Sequence, residues 1–308
     1  MKDTVRVATR KSPLAIWQAE HVADRLRAAF PGLLVTLLPM STRGDKLLDA
    51  PLAKVGGKGL FVKELEQSLL EGRADIAVHS MKDVPVDLPE ALSIAAILER
   101  EDPHDAFVSR RYSRIEDLPQ NAIVGTSSLR RQCQLKLLLP SCTWVNLRGN
   151  VNTRLGKLDS GDCDAIVLAV AGLQRLGMQQ AITEVLSSDR CLPAIGQGAL
   201  GVECRRGDTD TEVLLEALHD PRTAICVEAE RALNARLQGG CQVPIAGHAV
   251  WECDSIRLRG LVAAIDSATV LRAERRGAPA QACALGVAVA EELLAKGAEQ
   301  ILRNAGIG

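Results

Sequence analysis

Aromatic residues are scarce in this chain, and its charge is close to balanced. Among the 308 residues are three Trp, one Tyr and three Phe, and the formal net charge is −1 at pH 7. Proteins that bind nucleic acid need a basic face and often use aromatic rings that stack on bases. We therefore expect no nucleic-acid partner, and a core built from Leu, Val, Ile and Ala.

Long apolar runs and paired cysteines are also missing. No stretch is apolar over the roughly 20 residues that a membrane-spanning helix requires, and Met1 to Val7 lacks the apolar segment of a signal peptide. The nine cysteines form no CxxC pair and no metal-binding spacing with histidine. We expect a cytoplasmic protein with no membrane partner, reduced thiols and no metal site.

Strands and helices alternate through the first two thirds of the chain, which favours two doubly wound α/β domains. Ser12 before Pro13 is typical of a helix start, and Phe61, Leu65 and Leu69 form a helical stripe. The run 33–40 is almost continuously apolar, as in strands covered on both faces. The predicted strands are 4–9, 33–40, 74–78, 92–98, 122–125, 143–147 and 165–169, and helices are predicted at 128–139 and from 150.

The last third has a different pattern, which indicates a small α+β C-terminal domain. A helix is predicted over 223–237, two strands over 255–263 and 269–275, and a closing helix over 281–296. Asp208 to Asp210 and Asp220 with Pro221 are interpreted as breaks between elements near the domain boundary.

Cys241 follows directly on Gly239 and Gly240 and precedes Pro244. The two glycines allow a sharp turn and leave room beside the sulfur, and the proline prevents the helix from resuming. A thiol in an open loop is a candidate attachment point or nucleophile, whereas most cysteines are small buried packing groups. On the residues alone, both interpretations stay open.

Lysine and arginine follow most of the predicted strands. In an open parallel sheet the carboxyl ends of the strands form the ligand-binding edge. Arginine binds carboxylate or phosphate with paired hydrogen bonds, so we expect a strongly anionic ligand. The alternative is that these cations are solvated surface charges. They are Arg10, Lys11, Lys54, Lys58, Lys82, Arg130, Arg131, Arg148, Arg154 and Arg175.

Two short segments sharpen this expectation. Arg130 and Arg131 fall in the first turn of a predicted helix, where the helix dipole disfavours cations. Ser127 and Ser128 offer hydroxyls and backbone N–H groups at the same helix end, which favours an anion there.

Asp83 lies next to Lys82 after a predicted strand and before Pro85. A carboxylate among cations can shuttle a proton or stabilise a developing positive charge. The alternative is an ordinary turn or N-cap residue. His79 is interpreted as structural, because no partner for it is visible in the sequence.

Nine segments together resemble the porphobilinogen deaminase family, also called hydroxymethylbilane synthase. They occur in the family's order and extend over nearly the whole chain, with weaker likeness at 110–120, at 178–189 and after 250. The segments are ATRKSPLAIWQA, LAKVGGKGLFVKELE, ADIAVHSMKDVP, REDPHDAFVS, VGTSSLRRQCQL, NLRGNVNTRL, LAVAGLQRLG, LPAIGQGALGVECR and ERALNARLQGGCQVPI.

The resemblance implies a monomer of three domains. Residues 1–98 with 199–217 form the first and residues 99–198 the second, and both resemble the lobes of periplasmic binding proteins facing each other across a cleft. Residues 218–308 form the third domain, which carries Cys241 into that cleft.

The resemblance also implies the reaction. Four porphobilinogen molecules are joined head to tail into the linear tetrapyrrole hydroxymethylbilane, and ammonia leaves at each step. The cofactor is a dipyrromethane, attached by a thioether to the residue that matches Cys241. Cys241 is then an anchor, and the nucleophile is the terminal pyrrole carbon of the growing chain. Asp83 matches the acidic residue that helps the amine leave and shields the cationic pyrroles.

Each pyrrole bears an acetate and a propionate, so the growing chain gathers carboxylates that cations must neutralise. Phe61 is expected to stack on an incoming pyrrole, whereas Cys133, Cys163 and Cys204 are interpreted as packing residues. The positions that match carboxylate-binding residues are Arg10, Ser12, Lys54, Lys58, Ser80, Lys82, Thr126, Ser127, Ser128, Arg130, Arg131, Arg148, Arg154 and Arg175.

Two other functions are compatible with parts of the sequence. An anion-binding protein or sensor would explain the arginines, but it gives no reason for Asp83 or for Cys241 after two glycines. A conventional transferase with a cysteine nucleophile would carry no bound pyrrole. The mass of the intact protein distinguishes the three functions, because only the deaminase carries a permanent two-pyrrole adduct.

Overall fold

The structure is a computed structural model that describes residues 2–46, 59–239, 243–265 and 269–305. The chain divides into two compact units. The described residues of unit 1 lie within Met1–Leu48, Gly57–Glu101 and Ala199–Ala224, and those of unit 2 within Asp102–Gly198 and Ile225–Gly308. The boundaries of the three predicted domains stay a prediction. None of the helices in the described ranges is long and apolar enough to cross a membrane.

The elements follow in chain order. The strands are β1 (Thr4–Arg10), β2 (Leu34–Met40), β3 (Ile76–Ser80), β4 (Leu92–Ile97), β5 (Asp105–Ser109), β6 (Ile123–Gly125), β7 (Thr143–Val145), β8 (Ala165–Ala169), β9 (Glu184–Leu186), β10 (Leu200–Arg205), β11 (Ile245–Glu252), β12 (Ser255–Ala263) and β13 (Val270–Gly277). The helices are α1 (Pro13–Ala29), α2 (Arg43–Lys46), α3 (Lys63–Leu70), α4 (Leu129–Lys136), α5 (Val151–Asp159), α6 (Val170–Arg175), α7 (Thr209–Glu216), α8 (Pro221–Arg236), α9 (Ala282–Ala295) and α10 (Ala298–Asn304).

Unit 1 is built on a five-stranded mixed sheet in the order β2-β1-β3-β10-β4. β1 is parallel to β2 and β3, whereas β10 is antiparallel to both of its neighbours. Apolar residues of α1 and α7 pack in one core cluster with Val7 and Val202, and Leu65 and Leu69 of α3 pack in another with Ala8. Because successive residues of β1 face opposite sides, helices cover both faces of this sheet.

The predicted strand over 33–40 is present as β2, and residues on both of its faces pack against helices, but it lies at the edge of the sheet. β2 is the first strand in the order of the sheet, and Leu34 is 65% exposed. An edge strand next to solvent leaves part of its apolar surface uncovered. The run of apolar residues therefore indicated a strand here, but not its position in the sheet.

Unit 2 contains two sheets. The first is a five-stranded mixed sheet in the order β7-β6-β8-β5-β9, and the second is antiparallel in the order β11-β12-β13. Leu285, Val289 and Leu293 of α9 form a core cluster with Leu258 and other residues of the second sheet. The predicted α/β class with a small C-terminal sheet domain is confirmed.

Two stretches that were interpreted as breaks near the domain boundary are helix N-termini. The Asp208 side chain accepts a hydrogen bond from Thr211 N at 3.4 Å and begins α7. Asp220 accepts from Thr223 N at 2.7 Å and precedes Pro221, the first residue of α8. Aspartate is a preferred N-cap and proline a preferred first helical residue, so the same letters that mark turns also mark helix starts.

Glu230 joins α8 to the rest of unit 2. Its side chain is fully buried and accepts hydrogen bonds from Gly196 N at 2.7 Å and from Ala249 N at 2.8 Å. One carboxylate thereby satisfies a backbone N–H group in the loop before β10 and another in β11. Buried N–H groups that lose such a partner lower the stability of the fold.

We expect Glu230→Gln to lower the free energy of unfolding by about 2–3 kcal/mol, because the glutamine amide keeps one acceptor and points an N–H group at the second donor. Urea unfolding followed by circular dichroism measures the change. Glu228→Gln is the matched control, since Glu228 is exposed on the same helix and should change stability by less than about 0.5 kcal/mol. Equal effects of the two substitutions would contradict the assignment.

Candidate functional site

In unit 1, β3 leads directly into a short 3-10 turn, Met81–Asp83. The turn is anchored at its start, because Met81 N donates to Ala199 O at 3.0 Å and the Ser80 Oγ accepts from Gln18 Nε2 at 2.9 Å. Asp83 itself is half-buried. Across the described ranges, no hydrogen bond or ion pair engages the Asp83 carboxylate. Its full charge is therefore available to a ligand.

Lys82 and Ser80 accompany Asp83 in the same segment, and both are half-buried. Since Ser80 accepts from Gln18 through its oxygen, its own O–H remains a donor. Ser12 caps α1 by accepting from Ala15 N at 3.3 Å, so its O–H likewise remains a donor. A cation and two hydroxyl donors therefore lie in the segments that follow β1 and β3, two parallel neighbours in the sheet.

Arg10, the last residue of β1, has internal partners. Its guanidinium forms an ion pair with Asp45 and lies over the Phe61 ring, 4.4 Å from the centroid. Burial alone would raise the pKa of Asp45, but the hydrogen bond and charge of Arg10, together with hydrogen bonds from Thr42, lower it. Phe61 also packs against Gly44, where a Cβ atom would overlap the ring. It lies before α3, which begins at Lys63, and not within the predicted helical stripe.

In unit 2, Arg130 and Arg131 surround a buried carboxylate that the sequence analysis missed. Asp105 is fully buried, and the two arginines are 5% and 6% exposed. Arg130 Nη1 donates to Asp105 and to Leu192 O, both at 2.7 Å. Arg131 donates to Asp105 from Nε at 3.0 Å and Nη2 at 2.7 Å, and to Val167 O from Nη1 at 2.9 Å.

The cluster has one more positive than negative charge. Burial alone would raise the pKa of Asp105, but the charges and hydrogen bonds of Arg130 and Arg131 outweigh it and hold that pKa well below its usual range. Asp105 therefore stays ionised at neutral pH, and two arginines against one carboxylate leave a net charge of +1. Direct contact of either arginine with a ligand stays a prediction.

Hydroxyl groups line the start of α4. Ser128 is the N-cap, and its Oγ accepts from Arg131 N at 3.4 Å. Thr126 is buried, and its Oγ1 accepts from Ser128 N at 3.2 Å. Ser127 lies half-buried between them. The preceding Gly125 admits no side chain, because a Cβ there would lie 2.9 Å from Cys163 Sγ. The close packing of Gly125 fixes the end of β6, and the three consecutive hydroxyl residues that follow it lie at the start of α4.

Three further arginines follow strands of the same sheet. Arg148 lies after β7 and is half-buried, and burial lowers the pKa of its guanidinium. Arg154 of α5 donates from Nε to Gly149 O at 2.8 Å. Arg175 of α6 donates from Nη2 to Gly198 O at 2.8 Å. Since β7, β6 and β8 run parallel, the segments that follow them lie at one edge of the sheet.

Lys54, Lys58 and Cys241 lie outside the described residues, so the predictions for them stay predictions. Both flanks of Cys241 are described. On one side Gly239 N donates to Asn234 O at 2.9 Å, and on the other Pro244 O accepts from Ala263 N at 3.0 Å.

Position 239 requires glycine because of close packing, whereas the sequence analysis explained this glycine by a sharp turn and by room beside the Cys241 sulfur. A Cβ atom at this position would overlap Asn234 Oδ1 and lie 2.7 Å from Ile245 Cδ1. The preceding Gln238 already has a positive φ of 53°, as is common where a helix ends. Gly239 therefore allows close packing against α8 and β11.

Further residues named in the sequence analysis lie elsewhere in the chain. Cys133, Cys163 and Cys204 are buried, as expected for packing residues. No set of three or more His, Cys, Asp or Glu side chains in the described ranges is arranged to hold a metal ion. His79 does have a partner, since its Nε2 lies 2.9 Å from Glu203 Oε2.

Asp105→Asn should lower the free energy of unfolding by roughly 3 kcal/mol, because it leaves two buried guanidinium groups without their counter-charge. Urea unfolding measures the loss. Asp189→Asn serves as the control, since the Asp189 side chain is 87% exposed in its ion pair with Arg259 and such pairs contribute at most about 1 kcal/mol. A change no larger than that of the control would show that Asp105 does not hold the two arginines.

Two family models match most of the chain. "Porphobilinogen deaminase, dipyromethane cofactor binding domain" matches residues 5–213, and "Porphobilinogen deaminase, C-terminal domain" matches residues 224–295. These matches include the segments that carry Asp83, Asp105 and the cations of both units, and the second includes Cys241.

Several solved structures are similar at low identity. The BvgS VFT2 domain of Bordetella pertussis, in a double-mutant form, is 18% identical, with 70% of this chain and 86% of that chain covered and a TM-score of 0.44. A putative methionine-binding lipoprotein from Bacillus subtilis is 15% identical, with 72% and 92% covered and a TM-score of 0.44. A periplasmic substrate-binding protein of an ABC transporter from Coxiella burnetii is 15% identical, with 71% and 94% covered and a TM-score of 0.46.

Proposed function

Because this chain belongs to the porphobilinogen deaminase family, we propose which of its residues perform the family's reaction. The chain is a transferase of tetrapyrrole biosynthesis that polymerises porphobilinogen into hydroxymethylbilane with a dipyrromethane cofactor. The observation that carries this function is the match of the two family models to residues 5–213 and 224–295. The roles of individual residues below are our proposal.

The donors of unit 2 fit a ligand that carries several carboxylates. The Asp105 cluster has a net positive charge, and Arg148 and Arg154 follow strands at the same edge of the sheet. Hydroxyls at the start of α4 add neutral donors that suit carboxylate oxygens. A dipyrromethane bears an acetate and a propionate on each of its rings. We assign its carboxylates to Thr126, Ser127, Ser128, Arg130, Arg131, Arg148 and Arg154, and its thioether to Cys241.

When bound, the dipyrromethane supplies the pyrrole carbon that attacks the next porphobilinogen. Asp83 then acts on the substrate. As ammonia leaves, positive charge develops on the incoming pyrrole, and a carboxylate without an internal ion pair can direct its whole charge to that position. The absence of a partner for Asp83 in the described ranges supports this role.

The remaining donors bind substrate and the growing chain. In unit 1 we assign carboxylate binding to Arg10, Ser12, Ser80 and Lys82, and in unit 2 to Arg175. Phe61, whose ring lies under the Arg10 guanidinium, is proposed to stack on an incoming pyrrole. Lys54 and Lys58, outside the described residues, are proposed to neutralise carboxylates of the chain as it lengthens.

We place this enzyme in the cytoplasm as a monomer. None of the cysteines in the described ranges forms a disulfide, which agrees with a reducing compartment. The cofactor attachment itself needs a free thiol at Cys241, and that thiol persists where disulfides do not form.

Incubation of the purified protein with porphobilinogen tests the function. We expect hydroxymethylbilane to accumulate, with ammonia released in proportion to the substrate consumed. The intact protein should carry the mass of two pyrrole units before any substrate is added. Binding of porphobilinogen without release of ammonia would favour the anion-binding alternative, and turnover by a protein of unmodified mass would favour a cysteine-nucleophile transferase.

A further inference from the structure

His79 and Glu203 form a buried pair at the end of the strand that leads to Asp83. His79 Nε2 lies 2.9 Å from Glu203 Oε2, and the two residues are 5% and 1% exposed. The pair links β3 to β10, whose backbones are already joined in antiparallel register with Gly201 opposite His79. His79 precedes Asp83 by four residues, so any shift of the strand end is passed to the turn.

β10 also determines the space that is available to the Met81 side chain. Gly201 and Glu203 lie two positions apart on β10 and therefore face the same side of the sheet. A Cβ atom at Gly201 would overlap the Sδ of Met81, which is itself fully buried. Met81 is the first residue of the turn that ends at Asp83. Glycine at position 201 thus leaves the space that the Met81 side chain fills.

The ionisable pair is not what joins the two strands. Backbone hydrogen bonds pair β3 with β10 over five residues, and Glu203 Oε1 accepts no hydrogen bond in the described ranges although it is buried. A buried hydrogen-bonded pair of polar side chains usually adds little stability over two well-packed apolar side chains, because the cost of removing polar groups from water opposes their attraction. The pair does fix one arrangement of the His79 and Glu203 side chains. In this fold that arrangement determines the position of the end of β3.

We propose that Glu203 and Gly201 are positioning residues for Asp83. Glu203 fixes the side chain of His79, and the missing side chain of Gly201 leaves room for Met81. Together these contacts restrict the turn Met81–Asp83 to one position. This proposal rests on the role of Asp83 proposed above. Displacement of a reacting group by about 1 Å can cost on the order of 100-fold in rate, so the restriction matters for turnover more than for binding.

The first test removes the pair and keeps its volume. We expect His79→Leu with Glu203→Leu to keep the two-pyrrole adduct and an unfolding midpoint at or above that of the parent enzyme. Its kcat should fall roughly tenfold while KM stays within about threefold. Glu203→Gln keeps an acceptor for His79 and should retain kcat within about threefold. A double variant with parental kcat, or a Glu203→Gln variant as slow as the double variant, would overturn the proposal.

The second test adds one methyl group and then makes room for it. Gly201→Ala should lower kcat about fivefold to tenfold with KM nearly unchanged, and a crystal structure should show the Asp83 carboxylate displaced by roughly 1 Å. Adding Met81→Val removes the overlapping atom and should return both kcat and the carboxylate position to those of the Met81→Val single variant. If Gly201→Ala leaves Asp83 in place and kcat unchanged, the positioning role is refuted, even where the double leucine variant does not fold.

Asp83→Asn separates failure of this proposal from failure of the proposed function. If Asp83→Asn keeps full turnover, the role of Asp83 is wrong and Glu203 has no carboxylate to position. If Asp83→Asn is nearly inactive while Gly201→Ala and the double variant His79→Leu with Glu203→Leu turn over like the parent enzyme, only the positioning proposal fails.

Discussion

Cys241→Ser should give a folded protein that makes no hydroxymethylbilane. A serine hydroxyl is not ionised at neutral pH, whereas a thiol supplies the thiolate that forms the thioether. Without the thioether no primer is retained, and we expect turnover to fall by at least about three orders of magnitude. Intact-protein mass spectrometry should find the unmodified chain mass, and a product assay measures the loss of turnover.

Cys253→Ser is the control for that result. Cys253 is exposed in the turn between β11 and β12, and its replacement should leave both the adduct and the turnover unchanged. An active Cys241→Ser variant, or loss of the adduct in Cys253→Ser, would show that the attachment site is elsewhere.

Asp83→Asn should keep the adduct and KM but lower kcat by about 100-fold, since it removes the charge that stabilises the developing cation and keeps the shape of the side chain. Because no internal partner of Asp83 is present in the described ranges, the free energy of unfolding should change by less than about 0.5 kcal/mol. Steady-state kinetics and urea unfolding of the same preparation measure both quantities.

Asp24→Asn provides the matched control. Asp24 is an exposed carboxylate on α1 that pairs with Arg27, and its replacement should change neither activity nor stability measurably. A variant of Asp83 that is strongly destabilised would identify that residue as structural, and one with full turnover would remove it from the mechanism.

The sequence predicted well those strands and helix starts that depend on interactions between residues close together in the chain. Strands 165–169 and 255–263 match β8 and β12 residue for residue, and Ser12 and Ser128 cap α1 and α4 as expected. A cap acts within one helical turn, so its signal is contained in a few consecutive residues. β11 was missed because Gly247 and His248 interrupt its apolar alternation, although both are buried in the folded chain.

The carboxylate partners of Arg130 and His79 could not be predicted from the sequence. Asp105 lies 25 residues from Arg130, and Glu203 lies 124 residues from His79. Pairing of β3 with β10 brings Glu203 to His79, and the order β6-β8-β5 in the sheet of unit 2 brings Asp105 near α4. No periodicity or spacing in one sequence encodes either arrangement. The sequence therefore showed no partner for His79, although its interpretation as a structural residue agrees with its buried contact to Glu203. The arginine pair was likewise predicted without the carboxylate that organises it. Motifs gave the candidate residues, and topology gave their partners.

The origin of the product rings tests the central claim most directly. The enzyme carries its primer before it meets substrate, so we supply porphobilinogen labelled with a heavy isotope and allow many turnovers. The account predicts hydroxymethylbilane in which every ring is heavy, and a Cys241 peptide that still carries two light pyrrole units. Heavy label in the Cys241 adduct, or an unmodified Cys241 in turning-over enzyme, would contradict a permanent tethered primer.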